Sequence, residues 1–330
     1  LRRVAGYNID ALLPDAMSYR PNGRKGDGIN LSHLLVGSEG TLGYFTKIKL
    51  KLSSLPNKKV MAICHFPSFY QSMDVTQHIV KLNPISVELI DNTMIKLARD
   101  IQIFKQTVAD FVKGKPEALL VVEFAEKNEN QNEKKLIQLE KLMKNLGYDW
   151  NTKIKSGGVI KIFNSKDQSR VTEMRKSGLN IMMSMKSDSK PVSFVEDCAV
   201  SLENLAEYTN GLTKIFKKYN VNGTWYAHAS VGCLHVRPVL NMKINKDVRK
   251  MRMIAEEACS LVKKFGGSFS GEHGDGIVRS EFIEKMFDKK INDIFRQTKD
   301  LFDPNRIFNP EKIIDAPKMD DRNYFRYSPA

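Results

Sequence analysis

An α+β fold is what this sequence predicts: a mostly antiparallel sheet with helices packed on one face. Three observations carry that expectation. Six strand-like runs, VMAICHF, ISVELI, EALLVVEF, SFVEDCAV, TWYAHASV and CLHVRPVL, are rich in the β-branched and aromatic residues that suit a pleated surface. Between them, apolar residues recur at helical spacing over 67–81, 91–112, 130–146, 167–183, 201–219, 246–265 and 289–301, the second stretch breaking into two pieces. Finally, 330 residues, 42% apolar and 27% charged, are enough for two domains of ordinary globular composition.

In chain order, LSHLLVGSEGTLGYFTKIKLKL comes first. Its tail alternates Ile48, Leu50 and Leu52 with lysines, a period of two that predicts a half-buried strand. Gly37, Gly40 and Gly43 precede it, but they open a strand and do not follow the GxGxxG spacing of a dinucleotide site. The turn offers Ser38, Glu39 and Thr41 as donors and acceptors to a close-lying ligand, although composition alone favours a plain Gly-rich strand entry. Pro56 and Asn57 mark a boundary, and from 302 the chain runs FDPNRIFNPEKII, a turn-rich stretch before a polar tail. No repeat or low-complexity tract appears.

The formal charge of +14 invites a nucleic-acid reading. The lysines are scattered, however, on the polar sides of periodic segments, with no accompanying recognition motif, so a solvated basic surface is the better account. Cys64, Cys198, Cys233 and Cys259 form no CxxC and no cluster-binding spacing, which points to a reducing cytoplasm and no iron–sulfur site. No apolar run reaches the roughly 18 residues a membrane span needs, and no signal-peptide pattern is present. The opening LRRVAGYNIDALL, without an initiator Met, reads as a chain entered in its middle.

The segment HASVGCLH sets His228 and His235 seven apart. On a straight strand they would face opposite ways, so Gly232 is expected to bend the chain and aim both imidazoles at one point, as a zinc-like metal requires. GGSFSGEHGDG supplies Glu272 as a third ligand, and His273, facing the other way along an extended turn, meets a substrate. Two His and one carboxylate with open positions describe a catalytic metal. The competing reading makes both histidines satisfied, partly buried residues and EHGDG a polar turn; the combination of two His, a Gly hinge and an EH pair outweighs it. Arg175 and Lys190 flank a Met-rich helix end and suit a carboxylate-bearing substrate, although spacing alone favours two surface cations.

At these residues the chain resembles the vanillyl-alcohol-oxidase type of FAD-linked oxidases. LLVGSEGTLGYFTKIKL looks like the closing strand motif of their flavin domain, and SVELID, HASVGCLHVRP, SGEHGDG and DPNRIFNPEKI follow in the order of the FAD-linked D-2-hydroxyacid dehydrogenases. KPVSFVEDCAV, GEHGDGIVRSEF and PKMDD look closest to the large bacterial D-2-hydroxyglutarate dehydrogenases, which carry a C-terminal iron–sulfur module.

The resemblance implies a remnant of the FAD domain at 1–56, a ferredoxin-like substrate or cap domain at 57–270, a segment returning to the flavin at 271–315 and a linker at 316–330. It implies that Gly37, Ser38, Glu39, Gly40, Thr41 and Gly43 line FAD with Asn309 near the flavin ring. His228, His235 and Glu272 match metal ligands, usually for zinc; His273 matches the general base; Arg175 and Lys190 match the substrate-carboxylate binders. Where many relatives place an Asn after the second metal His, this chain has Arg237, which makes the pocket more cationic.

The implied reaction is oxidation of a D-2-hydroxy acid, D-2-hydroxyglutarate before D-lactate, with electrons passing to an iron–sulfur module, quinone or other carrier. Peripheral attachment at the inner face of a membrane is compatible with this, and no oligomeric state is implied. The phosphate-binding half of the flavin domain and the iron–sulfur module lie outside the sequence. A flavin-free metallohydrolase using the same His/His/Glu set and a non-catalytic fragment are the rival readings.

Overall fold

A computed structural model describes residues 1–13, 30–56, 58–151 and 157–326. They form two compact units, one of residues 52–196 and 200–242, the other of residues 1–51, 197–199 and 243–330.

In the first unit, strands β1 (Val60–Phe66), β2 (Ser86–Asp91), β3 (Ala118–Phe124), β4 (Gly158–Ile162), β5 (Lys190–Pro191), β7 (Gly223–His228) and β8 (Cys233–Leu240) lie in the order β4-β1-β3-β2-β7-β8-β5. Every neighbouring pair is antiparallel. Helices Phe69–Val80 and Glu129–Asn145 follow β1 and β3, which makes β1 to β4 a ferredoxin-like β-α-β-β-α-β set with two helices inserted after β2. The inserted pair, Asn92–Asp100 and Gln102–Phe111, is the predicted broken helix; Ile101, extended at φ −93° and ψ 118°, is the break.

Helices cover both faces of this sheet rather than the one expected. Alternate residues of the strands (Met61, Ile63, Ile90, Leu119, Val121 and Ile162) pack against Met94, Ile95, Phe104, Val108, Val171 and Met174 of the inserted and later helices. Helices Phe69–Val80 and Glu129–Asn145 contact β1 too, and lie on the opposite side. β1 therefore buries all seven residues, and a strand covered on both faces reads as a continuous apolar run, as VMAICHF does.

Asp91 joins two elements. Its Oδ1 accepts from the amide of Met94 at 2.8 Å, capping the helix that starts at Asn92, and its Oδ2 accepts from the amide of Trp225 at 3.0 Å. Full burial pushes this carboxyl up to about 6.

The second unit is mostly helical, with Asn245–Lys264 and Lys289–Phe302 its longest elements. Tyr7, Leu34, Leu42, Ile283, Phe295, Ile313 and Ile314 form its core, and Tyr7 meets Phe295 edge-on at 5.7 Å. Strand β6 (Cys198–Ala199) bridges to Ser268.

Two expected strands differ. Of SFVEDCAV only Cys198–Ala199 is strand, because Asp197 takes a left-handed φ of 76° and turns the chain. Residues 46–52 form no strand either. Ile48, Leu50 and Leu52 are 67%, 74% and 87% exposed, since a period-two pattern makes a strand only where a neighbouring strand completes its hydrogen bonds, and none of the described residues does so. Conversely, β4 and β5 were not legible as separate runs. No helix among the described residues is long and apolar enough to cross a membrane.

Candidate functional site

In the sheet unit the site residues gather on the β7–β8 hairpin. His228 ends β7, residues 229–231 make one 3-10 turn, and Gly232 sits in the left-handed region at φ 66° before β8 begins. A Cβ on Gly232 would lie 2.0 Å from the carbonyl oxygen of Val200, so φ and space both demand glycine there. The register pairs His228 with Cys233 and Tyr226 with His235. The two histidines are thus diagonal neighbours on one face of the hairpin, which is how a spacing of seven brings them together. Their ring centroids are 5.1 Å apart at an interplanar angle of 89°, and Tyr226 lies against His235 at 4.9 Å.

Strand β2 adds a residue the sequence did not single out. Glu88 stands opposite His228 in the β2–β7 register, and its two carboxylate oxygens lie 2.9 and 3.0 Å from Nδ1 of that ring. A carboxylate only accepts, so the Nδ1 proton points to Glu88 and the lone pair resides on Nε2. Arg175, from the helix Ser165–Lys176, donates through Nη2 to the same carboxylate. Its Nη2 is also 3.1 Å from His228 Nδ1; two donors meet there, and both are satisfied by Glu88 instead. The Nε of Arg175 is buried without a partner among the described residues, a donor placed for an incoming acceptor. A cleft of about 1170 Å³ lined by Glu88, Arg175, Ser86, Glu123, Lys59 and Thr172 adjoins it.

Lys190 occupies different surroundings. Its ammonium donates to the carbonyls of Met183, at 3.3 Å, and Met185, closing the C-terminus of the helix Gly178–Met183. Arg237 pairs through Nε with the nearly buried Glu196.

The helical unit holds the SGEHGDG loop, and Asp197 organises it. Asp197 Oδ2 accepts from Ser270 Oγ at 3.1 Å and from the amides of Gly271, Glu272 and His273 at 3.0, 3.1 and 2.8 Å. Successive amides converging on one carboxylate require a curled backbone, not the extended turn expected from the sequence. Glu272 and His273 therefore do not face opposite ways: His273 Nε2 is 3.8 Å from Glu272 Oε1. Asp197, Glu272 and His273 each offer a ligand atom within 4.8 Å of the others, and Arg2 forms an ion pair with Glu272.

The GSEGT turn lies in the same unit. Ser38 and Thr41 are buried, and their hydroxyls donate to the carbonyls of Leu35 at 2.8 Å and Ser38 at 2.7 Å. These hydroxyls hold the turn rather than project from it. The Glu39 carboxylate accepts from the amides of Asp275 and Gly276 at 2.6 and 2.9 Å, and Asn309 donates to the Glu39 carbonyl at 2.6 Å. Lys299, almost fully buried, donates to the carbonyls of Thr41 at 2.6 Å and Phe308 at 2.7 Å and pairs with Asp303. It thereby ties the GSEGT turn to the IFNP turn. A Cβ at Gly40 or Gly43 would meet nothing within 4 Å, so the backbone at both stays open to close approach.

The donor set fits a divalent metal: two edge-to-face imidazoles, one with its tautomer fixed by a carboxylate, are the nitrogen ligands and outer support that a borderline-soft ion such as zinc takes. The open backbone at Gly40 and Gly43 fits a planar or phosphorylated cofactor lying against it.

A family model described as FAD linked oxidases, C-terminal domain, matches residues 55–313. The chain is 31% identical over 306 residues to the D-2-hydroxyglutarate dehydrogenase of Haemophilus influenzae, covering 91% of this chain and 29% of that protein. It is 27% identical over 314 residues to the D-lactate dehydrogenase of Archaeoglobus fulgidus, covering 93% of this chain and 64% of that protein. Among solved structures, the 4-ethylphenol oxidase of Gulosibacter chungangensis superimposes with a TM-score of 0.56 at 11% identity, covering 79% of this chain and 55% of that one. p-Cresol methylhydroxylase does so with a TM-score of 0.54 at 12% identity, covering 76% of this chain and 51% of that one. These two likenesses are likenesses of fold. The chain spans 29% of the length of the bacterial relative and about half of each solved structure.

Proposed function

The chain belongs to the FAD linked oxidases, whose C-terminal domain it carries, and on that premise we propose that the protein oxidises a D-2-hydroxy acid to the 2-oxo acid. D-2-hydroxyglutarate is the favoured substrate and D-lactate the next, in keeping with the names of the similar dehydrogenases. The single observation that carries the reading is the pairing of His228 and Arg175 with Glu88, and of His228 with His235: two imidazoles beside a guanidinium with a buried donor to give.

Each residue has a part. His228, His235 and Glu272 would hold a divalent metal, zinc by its donor set. Arg175, with Lys190, binds the substrate carboxylate through charge-assisted hydrogen bonds and so fixes which hydrogen of the acid is presented. His273 takes the hydroxyl proton at a ring nitrogen, imidazole being the side chain suited to that transfer near neutral pH. The backbone from Gly37 to Gly43 and the Asn309 side chain hold FAD, and residues 1–56 and 271–315 act as parts of its domain. When bound, the metal polarises the hydroxyl and the flavin accepts the hydride. Electrons leave to an iron–sulfur module, quinone or other carrier, in the cytoplasm or at the inner face of its membrane.

The test mixes the full-length protein anaerobically with D-2-hydroxyglutarate and follows the flavin's visible absorbance. Bleaching that chelation abolishes supports the reaction and the metal's part in it. A bound flavin that stays oxidised with D-2-hydroxyglutarate, D-lactate, D-malate and glycolate alike would overturn the reading.

A further inference from the structure

Glu88 is conspicuous because nothing in its own strand accounts for it. It stands among apolar residues on β2, side chain mostly covered, and spends its carboxylate on two residues, 87 and 140 positions away in sequence. We infer that Glu88 is a positioning residue, an acceptor shared by His228 and Arg175 that fixes both; this rests on the reading of His228 as a metal ligand. Three observations support it. The sheet register places Glu88 directly opposite His228, so the contact is built into strand pairing and not into a mobile loop. Both carboxylate oxygens lie within 3.0 Å of Nδ1, which fixes the tautomer and turns Nε2 into the ligand nitrogen. The bond to Arg175 Nη2 holds a guanidinium whose buried Nε has no partner among the described residues.

Without Glu88, the close approach of Arg175 Nη2 to His228 Nδ1 at 3.1 Å would select the other tautomer. Nδ1 would then accept from the guanidinium and Nε2 would carry the proton, the form that cannot bind a metal through Nε2. Glu88 accordingly decides which nitrogen of His228 is available, and at the same time keeps a cation from taking its place.

The experiment measures zinc affinity of the full-length protein by chelator competition, together with the nitrogen-15 shifts of selectively labelled histidines in its metal-free form. E88A is expected to bind zinc about 10–100-fold more weakly, the usual cost of losing an outer-shell partner, and to move His228 from the Nδ1–H to the Nε2–H tautomer. E88Q, whose amide oxygen still accepts the Nδ1 proton, should keep the tautomer and show a smaller loss. Unchanged affinity and an unchanged tautomer in a folded E88A would overturn the inference. If the wild-type protein binds no zinc, the metal reading fails by itself, and the His228 tautomer alone decides the role of Glu88. If E88A does not fold, E88S takes its place, with the same tautomer change expected and its absence overturning.

Discussion

Asp197 accepts the amide of His273 at 2.8 Å, from a position 76 residues earlier in the chain. The same carboxylate holds the amides of Gly271 and Glu272, so one side chain sets the curl that turns Glu272 and His273 toward each other. D197A would leave the amides of Glu272 and His273 and the Ser270 hydroxyl without this acceptor, while the Gly271 amide keeps the Asp197 carbonyl at 2.7 Å. The expected loss is on the order of 3 kcal/mol, judged by about 1–3 kcal/mol for each buried donor left unsatisfied with partial recovery by water. Hydrogen exchange at residues 271–273 should accelerate ahead of global unfolding; retained protection there would show that the loop holds itself.

His273 is the proposed base and no part of the proposed metal site. H273A should keep its metal while flavin reduction by D-2-hydroxyglutarate slows about 10²–10⁴-fold, the range for losing general-base assistance. Metal analysis alongside anaerobic reduction separates the two effects. Turnover near the wild-type rate would assign the proton to another group.

Asp275 carries a pH signature. Burial, reinforced by the nearby Glu39 and Asp197, raises its carboxyl from 3.8 to about 7 against the opposing pull of the Gly6 amide and Arg279. Between about pH 4 and 7 the folded chain holds a proton that the unfolded chain has lost, so this group's contribution to stability falls as pH rises through that window. His65 runs the other way: burial lowers it to about 4, and its contribution is lost as pH falls from 6.5 toward that value. The difference between wild type and D275N therefore isolates Asp275. D275N should be the more stable at pH 8, by about 2 kcal/mol or more, and lose that advantage at pH 4. Parallel urea midpoints across the range would contradict it.

Lys299 is a buried cation with two carbonyl partners and one carboxylate. K299M keeps the length of the stem but strands the Asp303 charge, at a cost of about 3–5 kcal/mol. Since Lys299 joins the GSEGT and IFNP turns, flavin content should fall in the same variant. A K299M protein with normal melting temperature and full flavin would remove Lys299 from that role.

Much of this was legible in the residues themselves. The helices lie within a few positions of their periodic stretches, including the break at Ile101, because each carries its own apolar stripe. The bend at Gly232 was legible because, in a strand-forming stretch, only a turn brings residues seven apart to one face. What escaped were relations set by partners distant in sequence. Glu88 gains its place from a register with β7, 140 residues on, and Asp197 looked like one more strand acid until the loop it serves was placed around it. The Ile48–Leu52 alternation misled for the complementary reason: a local pattern was present without its neighbour.

The helical unit is assembled from residues 1–51, 197–199 and 243–330, with the sheet unit's chain running between. On a ribosome adding about 5–20 residues per second, its first 51 residues emerge roughly 10–40 s before their later partners. During that interval the sheet unit has everything it needs to collapse, whereas Tyr7, Leu34 and Leu42 wait for Phe295 and Ile313. Within these residues the packing of Tyr7, Leu34 and Leu42 is therefore a late event, completed only once the chain has reached Phe295 and Ile313.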